Sequence, residues 1–177
     1  MTPVDPVVVA RAPKRSELIV GFRNQALGHN PRSGDGARRH GGRFNPPRSF
    51  PVVYLCSTRA CAVAELTRQA TRQGLLPDDL LPRELWRLEA DLASILDLTD
   101  GNTLSQLGIS LDDVVSDSLE VTQQLGEAAY EHRFHAIRSP SATGVDIVIA
   151  VFPENLGASL LGTALVETWE VPGDLSA

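Results

Sequence analysis

Three side chains able to line a cleft and grip an anionic ligand stand at even intervals in the first half of the chain. They are Arg43, Tyr54 and Glu65, each eleven residues from the next. A guanidinium held in a fixed direction grips a phosphate or carboxylate through paired N–H donors. The residues around Arg43 supply such a mount: Gly41 and Gly42 permit a tight backbone path, and Asn45-Pro46-Pro47 stiffens the other side. Glu65 is the only ionisable carboxylate in the run ACAVAEL, which is apolar enough to bury more than one side of a helix. A buried carboxylate needs a partner or a shifted pKa. Cys61 and Ala62, four and three residues earlier, share its helical face and leave room for a ligand. The plainer reading sets Glu65 at the solvent edge beside Arg68 and Gln69, and spacing alone does not choose between the two.

The elements that must position these groups are readable in outline. PVVYLC, residues 51–56, is β-branched and apolar and reads as a buried strand. Ser57 or Thr58 then caps a helix over RACAVAELTRQATRQ that Gly74 ends. A strand feeding straight into a helix places Tyr54 at one lip of a cleft and Glu65 at the other. LIVGFR, residues 18–23, suits a first strand, and the Gly-, Pro- and Arg-rich stretch 28–51 is too long for a plain connection. Pro3, Pro6 and Pro13 make residues 1–16 read as an extended arm ahead of a domain at 17–177. Farther on, strands are expected around LWRLEADL and ASILDLTD, a turn at Asp100-Gly101-Asn102, and a short helix through Leu104 and Leu107. A helix is expected within 118–134, weakened by Gly126, and strands at 146–152 and 164–171. Strands and helices mix without regular βαβ alternation, so the fold class is α+β, a single domain of mainly antiparallel sheet with flanking helices.

Composition narrows the chemistry. A chain of 177 residues with 42% hydrophobic content builds one ordinary core. Its net charge of −6 argues against direct nucleic-acid affinity. Between Gly21 and Phe50, however, six arginines face the single acid Asp35, a local charge of about +5 that leaves about −11 on the remainder. A basic loop on an acidic protein suits a small anionic ligand, unless it is simply a solvated loop. Lys14 is the only lysine and falls in the N-terminal arm, which speaks against Schiff-base chemistry. Cys56 and Cys61 read as small buried residues, and neither they nor His29, His40, His132 and His135 have metal-ligand spacing, so no metal is expected. The histidines read as loop or surface residues, Trp86 and Trp169 as strand core, and Asp112-Asp113 as a solvated turn. The absence of a long apolar run or a signal-like N-terminus gives the expectation of a cytoplasmic protein away from membranes.

Taken in order, HGGRFNP, PVVYL and AVAEL, with the later PSATGVDIVIAVF, resemble the signature of the RES-domain family, toxins of RES–Xre toxin–antitoxin pairs. The resemblance runs from about Leu18 to Phe152. It implies a fold similar to ADP-ribosyltransferases and an activity that depletes NAD by breaking its nicotinamide–ribose bond, with inorganic phosphate or water as the acceptor. By position it makes Arg43, Tyr54 and Glu65 the central trio and adds Arg23 and Asn24 as cofactor contacts. Ser141 matches the family serine and would be a further cofactor contact, supplying a hydroxyl near the same site, with Ser139 two residues upstream. Glu65 would stabilise an oxocarbenium-like ribose. Arg23 and Arg43 would hold the pyrophosphate or ribose end, and Tyr54 would pack on the nicotinamide. Phe44 replaces the tryptophan usual after the motif arginine, which should mainly affect packing. Asn24 stands where some relatives carry an aromatic residue, which removes a stacking surface. An Xre-like antitoxin partner and a homo- or hetero-oligomeric assembly are further implications. Competing readings are a mono-ADP-ribosyltransferase acting on a protein acceptor and a non-enzymatic module binding an anionic partner.

Overall fold

The structure, a computed structural model, describes residues 3–157 and 161–176. Its strands are β1 (Arg15–Ala26), β2 (Val53–Cys56), β3 (Arg83–Asp97), β4 (Ala136–Pro140), β5 (Ile147–Val151) and β6 (Gly162–Trp169). The α-helices are α1 (Pro6–Arg11), α2 (Asp35–His40), α3 (Arg59–Arg72), α4 (Gly101–Leu107), α5 (Leu111–Val115) and α6 (Glu120–Glu131). The strands form one sheet in the order β1-β2-β5-β4-β3-β6, and an additional β1–β3 pairing closes the first five on themselves. All pairings are antiparallel except β3–β4. That parallel pair requires a long return path, and α4, α5 and α6 provide it. The α+β class with a mainly antiparallel sheet therefore holds.

The strand β3 is the spine. Its inward positions, Leu88, Ala90 and Leu92, are buried, Leu85 is buried instead against Leu66 and Trp169, and the strand pairs with β1 from Arg83 to Ile95. What reads as two short extended pieces is one strand of fifteen residues. The interior of the closed strands holds Ile19, Val53, Leu55, Leu88, Leu92 and Ile149. Outside it, α6 lays Leu125, Ala128 and Ala129 against Phe44, Leu96, Phe134 and Phe152. Gly126, a weak point by helix propensity, is required by close approach: a Cβ there would lie 1.7 Å from the Phe44 carbonyl oxygen. Phe44 itself is fully buried, so the residue in the tryptophan's place does serve packing.

The extended N-terminal arm is corrected by the structure. Asp5 caps α1 by accepting from the Val7 N–H, and Pro6 sits at the first helical turn, where its missing N–H costs nothing. Val9 is fully buried in the α6 core and the Val4 N–H donates to Gln124 Oε1 at 2.8 Å. Lys14 lies 5.3 Å over the Phe134 ring, a cation–π placement. Two expected turns also start helices: Asp100 caps α4 by accepting from Thr103, and Asp113 forms a capping box with Ser110 in α5. Trp169 is buried as expected, whereas Trp86 is half-buried, its Nε1 donating to Glu84. No helix among the described residues is long and apolar enough to cross a membrane.

Candidate active site

The strand-to-helix join at β2–α3 sets the site. Thr58 caps α3 by accepting from the Cys61 N–H, and Cys61, Ala62, Leu66 and Ala70 face inward. That fixes the rotation of the helix and leaves Glu65 half-buried on its cleft side. Behind it, Cys56 and Cys61 are buried free thiols, and their mutual hydrogen bond and burial push Cys56 far above its ordinary pKa. They are inert packing here.

A cleft of about 1180 Å³ opens across this join. Arg23, Asn24, Arg43, Tyr54 and Glu65, drawn from β1, the loop after α2, β2 and α3, all line it. Ser141 does not line the cleft but reaches it through Glu65, donating from Oγ to Oε1 at 2.8 Å. The turn after β4 holds this serine: its Oγ accepts from the Thr143 N–H at 3.1 Å and lies 2.6 Å from Thr143 Oγ1. Ser139 does line the cleft, but its hydroxyl donates only to the neighbouring Pro140 carbonyl at 3.3 Å.

Each motif arginine is anchored at one nitrogen. Arg23 Nη1 donates to the carbonyls of Pro31 and Ser33 at 2.8 and 2.7 Å. Arg43 Nη1 donates to those of Val114 and Ser116, both at 2.9 Å. Burial, then the neighbouring Arg83, lowers the pKa of Arg23. Burial, then Arg68 and Arg72, lowers that of Arg43, while Glu65 opposes the shift. A guanidinium starts so high that both remain cations.

Tyr54 presents its ring to the cleft and commits its hydroxyl elsewhere. The Oη donates to Asn45 Oδ1 at 2.8 Å and accepts from the Phe44 N–H at 2.9 Å. Burial, its main cause, raises the hydroxyl's pKa, so it has neither the exposure nor the acidity for proton transfer. The ring fits because residue 42 is glycine; a Cβ there would fall 2.6 Å from the hydroxyl oxygen. Asn24 is also engaged, accepting from Arg83 Nη2 at 2.8 Å and donating to the Ala62 carbonyl at 3.3 Å.

The structure adds wall residues that sequence reasoning did not select. Arg68, Gln69 and Arg72 follow Glu65 along the same face of α3, a placement that spacing of three, four and seven does announce. Glu65 therefore joins both readings: it faces the cleft and it shares that face with Arg68 and Gln69. Arg83 enters from β3, and Gln123 of α6 donates to the carbonyls of Gly42 and Asn45, clasping the motif loop. Nothing local in the sequence signals Gln123. His29 and His40 both line the cleft. In total six arginines face two carboxylates, Asp35 and Glu65, around the cleft wall. Among the described residues, no group of three or more His, Cys, Asp or Glu is arranged to hold a metal ion.

The sequence profile of the RES domain matches residues 17–174. This chain belongs to the RES-domain family. It is 31% identical over 124 residues to the NAD(+) phosphorylase MbcT of Mycobacterium tuberculosis and of Mycobacterium bovis, an alignment covering 69% of this chain and 67% of the relative. It is also 31% identical over 134 residues to the probable NAD(+) phosphorylase Rv3189 of M. tuberculosis, covering 76% of this chain and 64% of that one. The fold is that found in the crystal structure of the M. tuberculosis MbcT–MbcA toxin–antitoxin complex. The TM-score is 0.83 at 24% identity, over 97% of this chain and 94% of the other. In this RES domain the matched region takes in all the cleft-lining groups described above and excludes α1, which packs on it from outside.

Proposed function

We propose that this protein is an NAD phosphorylase that acts as the toxin of a toxin–antitoxin pair, depleting cellular NAD by transferring its ADP-ribosyl group to inorganic phosphate. The observation that carries this reading is a hydroxyl-oriented carboxylate, Glu65, in one arginine-rich cleft with Arg23, Arg43 and Tyr54. The names of the curated relatives support it.

Little machinery is needed for the reaction. The nicotinamide of NAD is already cationic, so it leaves as a neutral base and requires no general acid. What the site must stabilise is the positive charge that develops on the ribose, and a fixed carboxylate does this best where water is partly excluded. Glu65 takes that role, with its oxygen held by Ser141. Arg23 and Arg43 hold the pyrophosphate and ribose end, Asn24 lies beside them, and the Tyr54 ring packs on the nicotinamide. The protein works in the cytoplasm, and an Xre-type antitoxin restrains it by covering the cleft.

Purified protein incubated with NAD and phosphate is expected to release nicotinamide, and Glu65→Gln to lower the rate by about 10²–10³-fold while the protein stays folded. Full activity in that variant would overturn the role of Glu65. A rate indifferent to phosphate would replace phosphorolysis with hydrolysis, and a labelled macromolecular product with little free product would replace both with protein modification.

A further inference from the structure

Beyond the central groups, one feature of the cleft wall is unexplained by the roles just assigned. Arg68 and Arg72, one turn apart on α3, converge on a single carboxylate oxygen, Asp117 Oδ1, at 2.6 and 3.3 Å. Asp117 is not part of the cleft wall; it projects from the segment after α5, and its side chain is 87% exposed. Two guanidinium groups thus meet on one oxygen of a side chain that little else confines, and the pair draws that carboxyl below the usual carboxylate range. Beside them a smaller hollow of about 270 Å³ opens, lined by Asn24, Glu65, Arg68, Gln69, Arg72 and Gln73. It is continuous in its lining with the main cleft through Asn24, Glu65, Arg68, Gln69 and Arg72.

We propose that Arg68 and Arg72 form the subsite for inorganic phosphate, the attacking group of the phosphorolysis, and that Asp117 occupies their donors until phosphate replaces it. This inference rests on the function proposed above. Its geometric basis is the position of the pair relative to Glu65. A nucleophile must arrive where the ribose charge develops, next to the carboxylate that stabilises it, and Arg68 stands one helical turn from Glu65. Two arginines convergent on one oxygen match a tetrahedral dianion, which offers more acceptor oxygens than a carboxylate. The hollow is large enough for orthophosphate and too small for a dinucleotide. Asp117 is a weak competitor because an exposed ion pair is held loosely and screened by salt. In the reaction the C1′–N bond of the nicotinamide riboside breaks, its electron pair passing to the ring nitrogen of neutral nicotinamide. An oxygen lone pair of HPO₄²⁻ forms the new C1′–O bond. The remaining phosphate proton leaves to water, giving ADP-ribose 1″-phosphate.

The test is initial-rate kinetics with phosphate and NAD varied in turn, together with direct titration of inorganic phosphate into the NAD-free protein by calorimetry. Arg68→Gln and Arg72→Gln are each expected to raise the KM for phosphate about 10-fold, with the KM for NAD changed less than about twofold. Asp117→Asn is expected to lower the KM for phosphate by about 2–5-fold. A rise in the KM for NAD alone would overturn the proposal and reassign the pair to the pyrophosphate of the dinucleotide. Unchanged phosphate titration in the arginine variants would overturn it as well. A wild-type protein that binds phosphate through these arginines but releases no nicotinamide would instead overturn the function proposed above, so the two failures are distinct.

Discussion

Replacing Ser141 by alanine removes one hydroxyl and tests how Glu65 is held. The serine is 3% exposed and donates to Glu65 Oε1 at 2.8 Å. A hydrogen bond to an ionised group contributes about 1.5–3 kcal/mol. Glu65 is half-buried and faces an open cleft, so the lower part of that range applies, about 1.5–2 kcal/mol of lost transition-state stabilisation. At 1.36 kcal/mol per decade, kcat should fall by about 10–30-fold. The KM for NAD should stay within about twofold, because the serine acts through the carboxylate and does not reach the cleft itself. Ser139→Ala supplies the comparison. That hydroxyl lines the cleft but is bonded only to the adjacent carbonyl at 3.3 Å, so its loss should change kcat by less than about twofold. Nicotinamide release followed by chromatography, with melting temperature measured alongside, decides between them. Equal losses in the two variants, or full activity in Ser141→Ala, would refute the positioning role.

Two other perturbations separate scaffold from chemistry. Tyr54→Phe keeps the ring but strands the Phe44 N–H and Asn45 Oδ1; at about 1–3 kcal/mol for the unsatisfied groups and about 2–4 °C per kcal/mol, thermal unfolding should shift down by about 2–12 °C, and an unchanged melting temperature would show that the hydroxyl is not structural. Burial lowers the pKa of His135, whose Nδ1 accepts from the Ala93 N–H at 3.1 Å. Its neutral form is favoured in the folded state, so the unfolded chain binds the extra proton first. The stability it contributes is present above pH about 6.5 and is lost as pH falls through the folded pKa. Denaturant unfolding of wild type and His135→Gln between pH 7 and pH 5 checks this, the wild type losing more on acidification.

What the sequence made legible depended on how local the cause was. The β2–α3 unit could be read because its signals lie within some twenty consecutive residues: a β-branched run, a threonine cap, and a helix ending near a glycine. The helix α1 was hidden by three prolines, although Pro6 occupies the one helical turn that tolerates it and Val9 draws its energy from α6, more than a hundred residues away. The same distance concealed the reason for Gly126. By helix propensity it is a defect; only the Phe44 carbonyl packed against it makes any side chain there impossible. In the site, Arg68 and Arg72 were announced by helical spacing from Glu65, whereas Gln123 had no signal, since its targets are carbonyls of a remote loop.

The aim of the motif arginines belongs to the second kind. Their presence is written in the sequence, but their direction is set by carbonyls of other segments: Pro31 and Ser33 for Arg23, Val114 and Ser116 for Arg43. Fixing one nitrogen of a planar guanidinium orients the rest of the fork, so little rotamer freedom remains to be lost when an anion binds. The anchors also couple separate parts of the wall. Residues 114–117 hold Arg43 through two carbonyls and engage Arg68 and Arg72 through Asp117. The anchor of Arg43 is main-chain and the clasp on Arg68 and Arg72 is a single exposed side chain, so Asp117→Asn should alter the proposed phosphate subsite while leaving Arg43 aimed and the KM for NAD within about twofold.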